Sequence, residues 1–341
     1  MAGGEQANRR HAGMQDVAAR AGVGIATVDR VLNERGSVHV DTARRVIEAA
    51  RALGLRRTLP SPYARKLRLD VLLARLETPF CARLQQAFMR IAATLDRSVI
   101  IQRSTLDQAK PRLVARRIRE SAADGVILYC EEHCAILEAI GGLARRGLPV
   151  ICLTTDLPTA PRLAYVGIDH TRAGRTAALF AALAARGEGA ALVLTSSLGY
   201  RAHKERLAGF EAGLGEYAPS MSMLRVLHGH DDRDACYRLV SRALWTAPSL
   251  AAIYNTGGAN RAVAAAIRES GHAGQVAFVG HELTEASAML LREQIMTLAI
   301  DQAPELQAQR AVERLLKHLG MFEPELQPSE IPFTLHTREN T

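Results

Sequence analysis

Aromatic side chains are scarce. They make up 4% of the 341 residues, with a single Trp, so a core has to be assembled mainly from Ala, Leu, Val and Ile. Cysteine is sparse and odd in number. Five thiols in a chain of this length do not suggest a disulfide framework, and a reducing compartment is the expectation. No run of about 18 apolar residues occurs, which excludes an ordinary membrane-spanning helix. The longest apolar stretch, Ala177–Ala185, is half that length and rich in alanine. The opening residues, MAGGEQANRRHAG, lack the apolar segment of a secretory leader. A cytoplasmic protein without membrane contact is therefore expected.

Signatures of catalysis are missing too. There is no G-x-S-x-G elbow and no phosphate loop; Gly257-Gly258 reads as a turn at a helix start. His281-Glu282-Leu283-Thr284-Glu285 begins like a zinc-protease motif but lacks the second His. Cys130-Glu131-Glu132-His133-Cys134 has no paired C-x2-C and at most Cys152 as a further ligand. It reads as a strand-end loop, with Glu131 a candidate ligand contact. His228-Gly229-His230 reads as a solvated loop. No enzyme activity, metal or cofactor is expected.

What is present is an uneven charge. Residues 1–68 hold 13 lysines and arginines against six acids, a net +7 of the chain's +8. A basic module joined to a nearly neutral domain suits a polyanionic partner, although a basic solvated surface would look the same. Three helical patterns fit the same region: Met14–Arg20, Ile25–Leu32 and Asp41–Leu53, the last closed by Gly54. Ala18 permits a close helix crossing, and Gly22 can take the positive φ of a tight interhelical turn. Val17, Ala21, Val23, Val28 and Val31 fall at core positions. The second helix then exposes Ile25, Ala26, Thr27, Asp29 and Arg30, at the end that would enter a DNA major groove.

These residues carry a resemblance. Asp16-Val17-Ala18-Ala19-Arg20-Ala21-Gly22-Val23, Thr27-Val28 and Arg30-Val31-Leu32-Asn33 are similar, without a gap over 18 residues, to the LacI/GalR family of bacterial repressors. The resemblance implies that Ile25, Ala26 and Arg30 read bases, and that Thr27 and Asn33 contact the backbone or support the helix. Two positions depart from the pattern. Gly24 replaces the usual Ser cap and offers no side-chain acceptor. Asp29 replaces a second Ser; an acid there either accepts from cytosine N4 or, more simply, pairs with a neighbouring arginine. The family's hinge helix is also altered. Pro60 and Pro62 disfavour a helix in residues 58–68, so an extended linker is expected, with coupling carried by dimer geometry.

From residue 69 to 341 the pattern alternates strand and helix, the mark of parallel sheets with crossover helices. The series breaks near residues 169–172, implying two lobes: 69–170 with 296–325, and 171–295 with 328–339. The predicted class is an all-α helix-turn-helix module, residues 1–57, followed by a bilobed α/β domain with two parallel doubly wound sheets. The family resemblance extends over it and implies the type I periplasmic-binding-protein fold, with a small-molecule effector between the lobes. Ligands of α/β sheets bind at the carboxyl ends of strands. Phe80, Glu131, Asp156, Arg206, Asn255, His281 and Gln302 occupy such stations or the facing helix start. The resemblance implies that they hydrogen-bond a sugar, polyol or sugar acid; His281 stands where the family commonly has Asp.

Two functions remain open on these residues. One is an effector-controlled regulator, a repressor as the family resemblance implies, binding double-stranded operator DNA as a homodimer. The other is a solute-binding protein or small-molecule enzyme of the same fold. The basic helical module argues against transport, and the missing signatures argue against catalysis.

Overall fold

The computed structural model describes residues 12–36, 38–55, 59, 66–74, 78–321 and 325–341. The chain divides into a smaller unit, Met1–Leu67 with Thr94–Ile100, which holds the N-terminal helices, and a larger α/β unit, Arg68–Ala93 with Ile101–Thr341.

The helical unit contains α1 (Met14–Ala21), α2 (Ile25–Leu32) and α3 (Val40–Ala52). At the start of α1 the Gly13 N–H donates to Asp16 Oδ2 at 2.7 Å, which satisfies one orphan donor and puts an acid at the positive helix end. The helix stops at Gly22, whose φ of +66° is the left-handed conformation that the turn into α2 needs. Val17, Ala18 and Ala21 meet Val28, Val31 and Leu32 of α2 and Val46, Ile47 and Ala50 of α3 in one buried cluster. Of the expected core positions, Val17, Ala21, Val28 and Val31 are buried, and Val23 is half-buried against the cluster. The described part of the expected linker is limited to Leu59 and residues 66–68, so its proline-bearing stretch lies outside the described residues.

In the α/β unit the order is β1 (Leu67–Ala74), α4 (Pro79–Thr94), β2 (Val99–Leu106), α5 (Pro111–Arg119), β3 (Gly125–Tyr129), α6 (Cys134–Arg145), β4 (Val150–Leu153) and β5 (Ala164–Val166). There follow α7 (His170–Ala184), β6 (Ala190–Thr195), α8 (Arg201–Tyr217), β7 (Ser222–His228), α9 (Arg233–Thr246), β8 (Leu250–Asn255), α10 (Asn260–Glu269), β9 (Ala277–His281), α11 (Glu285–Arg292), β10 (Leu298–Asp301), α12 (Pro304–His318) and β11 (Thr334–His336). Two sheets result, ordered β2-β1-β3-β4-β5 and β11-β10-β9-β8-β6-β7. Pairing is parallel from β1 through β3 and β4 to β5, and throughout the second sheet except at β10–β11, which is antiparallel. The inner strands β4 and β6 are fully buried apolar runs, as parallel strands covered on both faces are.

Two details depart from expectation. Residues 298–301, expected in the first lobe, stand in the second sheet: β10 pairs with β9 through Leu298↔Val279 and Ile300↔His281. A fully buried four-residue strand has no face pattern to say which sheet it joins, and it pairs with the strand that precedes it in the chain. α12 returns to the first lobe, where Leu315 packs on Gly125 of β3. Between the two series, where the alternation shows no helix, the chain forms α7. Its Ala-rich composition is explained by α8, which lies almost on its backbone. A Cβ added to Gly174 would stand 2.1 Å from the Arg206 carbonyl oxygen, and one on Gly209 would stand 2.2 Å from that of Thr171.

Among the described residues, no helix is long and apolar enough to cross a membrane. The close crossing of α7 and α8 yields a prediction. Gly174→Ala and Gly209→Ala each push a methyl group into a carbonyl that cannot move without its helix, and each should cost about 1–3 kcal/mol or more. Urea unfolding measures this; an unchanged midpoint would show that the helices can slide apart freely.

Candidate functional site

The outer face of α2 is built by exclusion. Val28, Val31 and Leu32 point inward, which leaves Gly24, Ile25, Ala26, Arg30 and the capping Asn33 exposed, with Thr27 and Asp29 half-buried. Ile25 is 47% exposed, large for an aliphatic residue on so small a unit. Gly24 caps α2 with no side-chain hydrogen bond, so the first-turn N–H groups are unclaimed by a cap side chain, as an anion-binding helix end requires. The Arg30 Nε–H donates to the Ala26 carbonyl at 3.3 Å. Asp29 pairs with Asn33, whose Nδ2 donates to its Oδ1 at 2.7 Å, rather than with an arginine. One helical turn separates the two residues, so the short Asn side chain reaches the carboxylate along the helix face.

The second candidate site lies between the two sheets of the α/β unit, where the strands' carboxyl ends converge. A cavity of about 50 Å³ is lined by Ala74 after β1, Thr78, Phe80 and Cys81 at the start of α4, and Tyr129 ending β3. Thr154, Ser196, Asp231, Thr256, Gly257, Gly258, His281, Glu282 and Gln302 each follow or end a strand. Tyr200, Ala202, His203 and Arg206 come from the start of α8. Phe80, Tyr129 and Tyr200 form an aromatic series, with centroids 6.0 and 5.5 Å apart. A wider recess of about 650 Å³ shares Ser196 and Tyr200 with it and is bounded by Gln108, Glu131 and His230.

Arg206, 3% exposed, organises the floor. Its Nε–H donates to His170 Nδ1 at 3.2 Å, one Nη to the Thr256 carbonyl at 2.7 Å, and the other to Gln302 Oε1 at 2.5 Å. Because His170 Nδ1 accepts, its proton sits on Nε2 and goes to the Thr154 carbonyl at 2.6 Å. Burial, and then the Arg206 charge, push the His170 and His281 imidazoles well below their usual range and the His203 imidazole down to about 3. All three are neutral. Gln302 passes its amide N–H to Glu282. Burial beside Asp301 raises the Glu282 carboxyl to about 8. Behind it, Arg83 of α4 gathers Asp301, Glu305 at 2.8 Å and, at 3.5 Å, Glu282.

Of the seven effector-contact candidates, Phe80, Arg206, His281 and Gln302 line the cavity together. Glu131 faces the outer recess. Asp156 lies outside both, held by Arg162 at 2.6 Å. Asn255 is buried behind the lining, where its Nδ2 donates to Asn260 at 2.8 Å and its Oδ1 accepts from Gly257 at 3.2 Å. It shapes the loop that presents Thr256. Tyr129, Tyr200, His203, Asp231 and Thr256 went unrecognised in the sequence. His203 could have been found, since it precedes Arg206 by three residues and shares its helix face. Cys130 and Cys152 are buried and Cys134 is exposed. Among the described residues, no group of His, Cys, Asp and Glu is arranged to hold a metal.

Residues 69–321 match the family described as periplasmic binding protein domain, and residues 13–57 match the family of bacterial regulatory proteins, lacI family. The chain belongs to the periplasmic-binding-protein-domain family and carries a lacI-family domain at its N-terminal end. It is 34% identical over 137 residues to the HTH-type transcriptional regulator RegA of Clostridium saccharobutylicum, covering 38% of this chain and 40% of that protein. It is 28% identical over 205 residues to catabolite control protein A of Streptococcus mutans, covering 58% and 59%. The matches thus span two-fifths to three-fifths of these relatives' lengths. Among solved structures, the glucose-galactose binding protein GanP of Geobacillus stearothermophilus superposes with a TM-score of 0.73 at 17% identity, over 81% of this chain and 99% of that one. An ABC transporter solute binding protein from Burkholderia graminis, in complex with D-arabinose, does so with a TM-score of 0.73 at 21% identity, over 82% and 97%. These likenesses fix the fold of the bilobed domain.

The Glu282 carboxyl generates a pH prediction. In the unfolded chain it ionises near 4.5; in the fold it stays protonated up to about 8. Between those values the native state holds a proton that the unfolded state has released, so this contribution to stability falls as pH rises through the interval. The neutral histidines act oppositely, costing stability as pH falls below their ordinary 6.5. Glu282→Gln removes the first effect alone. The variant should gain on the parent protein between about pH 5 and 8, by on the order of a few kcal/mol. Urea unfolding of both proteins across that range reads the gain; a difference independent of pH would refute it.

Proposed function

We propose that this chain is an effector-controlled transcription regulator that binds double-stranded DNA through α2 as a homodimer in the cytoplasm. The observation that carries this reading is the exposed face of α2. Ile25, Ala26 and Arg30 are presented outward by a buried three-helix core, at the end of a chain whose basic excess is concentrated in the same unit. Thr27 and Asn33 stand at the flanks for phosphate contact, and Gly24 leaves the helix end open. The match to a family of bacterial regulatory proteins and the regulators among the relatives support it. A regulator explains the helical unit, which an enzyme or a free solute-binding protein would not need.

The effector enters the cavity around Arg206. A carbohydrate or a related polar molecule fits its lining, which combines aromatic faces with hydrogen-bonding groups. At about 50 Å³ the cavity accommodates a water or two, so a larger ligand requires the lobes to part on entry. Binding then favours one lobe arrangement over the other, and operator affinity follows that difference.

Two outcomes test the reading. Selection of bound sequences from a random duplex library by the full chain should recover a two-fold symmetric site. Its affinity should fall by roughly 10³–10⁵ between about 50 and 200 mM salt, and Arg30→Ala should lose about 1–3 kcal/mol at one base position. Uniform, salt-insensitive binding would count against it. In a thermal-shift screen of sugars, sugar acids and polyols, a true effector should raise the melting temperature with concentration. Arg206→Gln should abolish that rise.

A further inference from the structure

Among the described residues, Arg206 is a buried cation without an ion-pair partner. Its three hydrogen-bond partners are His170, the Thr256 carbonyl and Gln302. The nearby described acids are engaged elsewhere. Asp301 and Glu305 are committed to Arg83. Glu282 meets Gln302 instead of Arg206, and it is protonated at neutral pH. The three imidazoles nearest the guanidinium are neutral. A guanidinium carries five N–H groups, and three of Arg206's are used by the protein. The remaining two belong to a side chain that lines the cavity. A desolvated charge with spare donors is costly until an anion meets it.

The lining also holds an acceptor. Asp231 Oδ1 accepts from the Gly258 N–H at 2.9 Å, and the carboxylate has no cationic partner among the described residues. Gly257 must lack a Cβ for this, since one would stand 2.4 Å from that oxygen. Asp231 therefore keeps its other oxygen as an acceptor. Phe80, Tyr129 and Tyr200 supply apolar ring surface in the same lining. The lining thus combines a buried cation, aromatic rings and a carboxylate acceptor.

We infer that the effector is a sugar acid, its carboxylate set against Arg206 and its hydroxyls directed to Asp231. The inference rests on the effector reading proposed above and narrows it from carbohydrates in general to those with a carboxylate. The planar guanidinium offers the carboxylate paired N–H donors, and the union removes the uncompensated charge. A neutral sugar would fill the same space and leave that charge unanswered. A hydroxyl donates to Asp231, whereas a second carboxylate there would be repelled.

The test uses matched pairs that differ only at the acid carbon: galactose and galacturonate, glucose and glucuronate, mannose and mannuronate. Each is titrated into the full chain at constant ionic strength by calorimetry and thermal shift. In at least one pair the acid should bind at least 30-fold more tightly than its neutral partner. The primary amide of that acid, of the same shape but uncharged, should lose the same factor. Because the amide tests the charge on the unaltered protein, the result does not depend on whether an Arg206 variant folds. A neutral sugar binding as tightly as its acid, or an amide as tight as the acid, overturns the inference and leaves the carbohydrate effector standing. Should no member of any pair bind, the carbohydrate reading falls with it.

Discussion

The interaction on which the cleft depends is the buried guanidinium of Arg206. It joins three segments that are remote in the chain: the start of α7 through His170, the loop after β8 through Thr256, and the residue after β10 through Gln302. Each bond fixes the state of its partner. His170 must accept, so it is neutral and donates onward to Thr154. Gln302 must turn its oxygen to Arg206 and its nitrogen to Glu282. One charge thus sets the tautomer of a histidine and the orientation of an amide. Removing it would leave several buried polar groups without partners, which is costlier than the loss of any single bond.

That charge is held in place by packing as much as by hydrogen bonds. α8 carries Arg206 and lies against α7 at a separation that only glycine permits at Gly174 and Gly209. The glycine at 174 faces the Arg206 backbone itself, so the depth of the guanidinium in the cleft follows from the approach of the two helices. Ala178 of α7 serves the same contact, since a Cβ on Gly213 of α8 would stand 2.7 Å from its own. A composition that looks bland in the sequence is the condition for placing the buried Arg206.

This explains what the sequence disclosed and what it withheld. The helical unit was legible because its signals are local: a glycine for the turn, apolar residues at helical spacing, and a small residue at the crossing. The alternating strands and helices were legible for the same reason. The sheet to which residues 298–301 belong was not, because four buried apolar residues look alike in either lobe. The site was legible in part. Strand ends point to the cleft, and Phe80, Arg206, His281 and Gln302 reach it, but Asp156 is captured by Arg162 and Asn255 turns back to brace its own loop. Both partners lie within six residues in the chain, but they meet through the course of the intervening loop, which no short pattern records. Asp29 is a local instance, since its partner proved to be the amide one turn away.

The same network reaches beyond the cavity. Glu282 Oε1 accepts from the Gln302 amide, and its Oε2 faces Arg83 across 3.5 Å, while Arg83 is held by Asp301 and Glu305. Arg83 belongs to α4 of the first lobe, whereas Asp301 ends β10 and Glu305 opens α12, where the chain crosses between lobes. Arg206, Gln302, Glu282 and Arg83 therefore form a continuous series from the cavity floor to that crossing. Cavity floor and crossing are thus joined through a single amide, whose orientation both ends require.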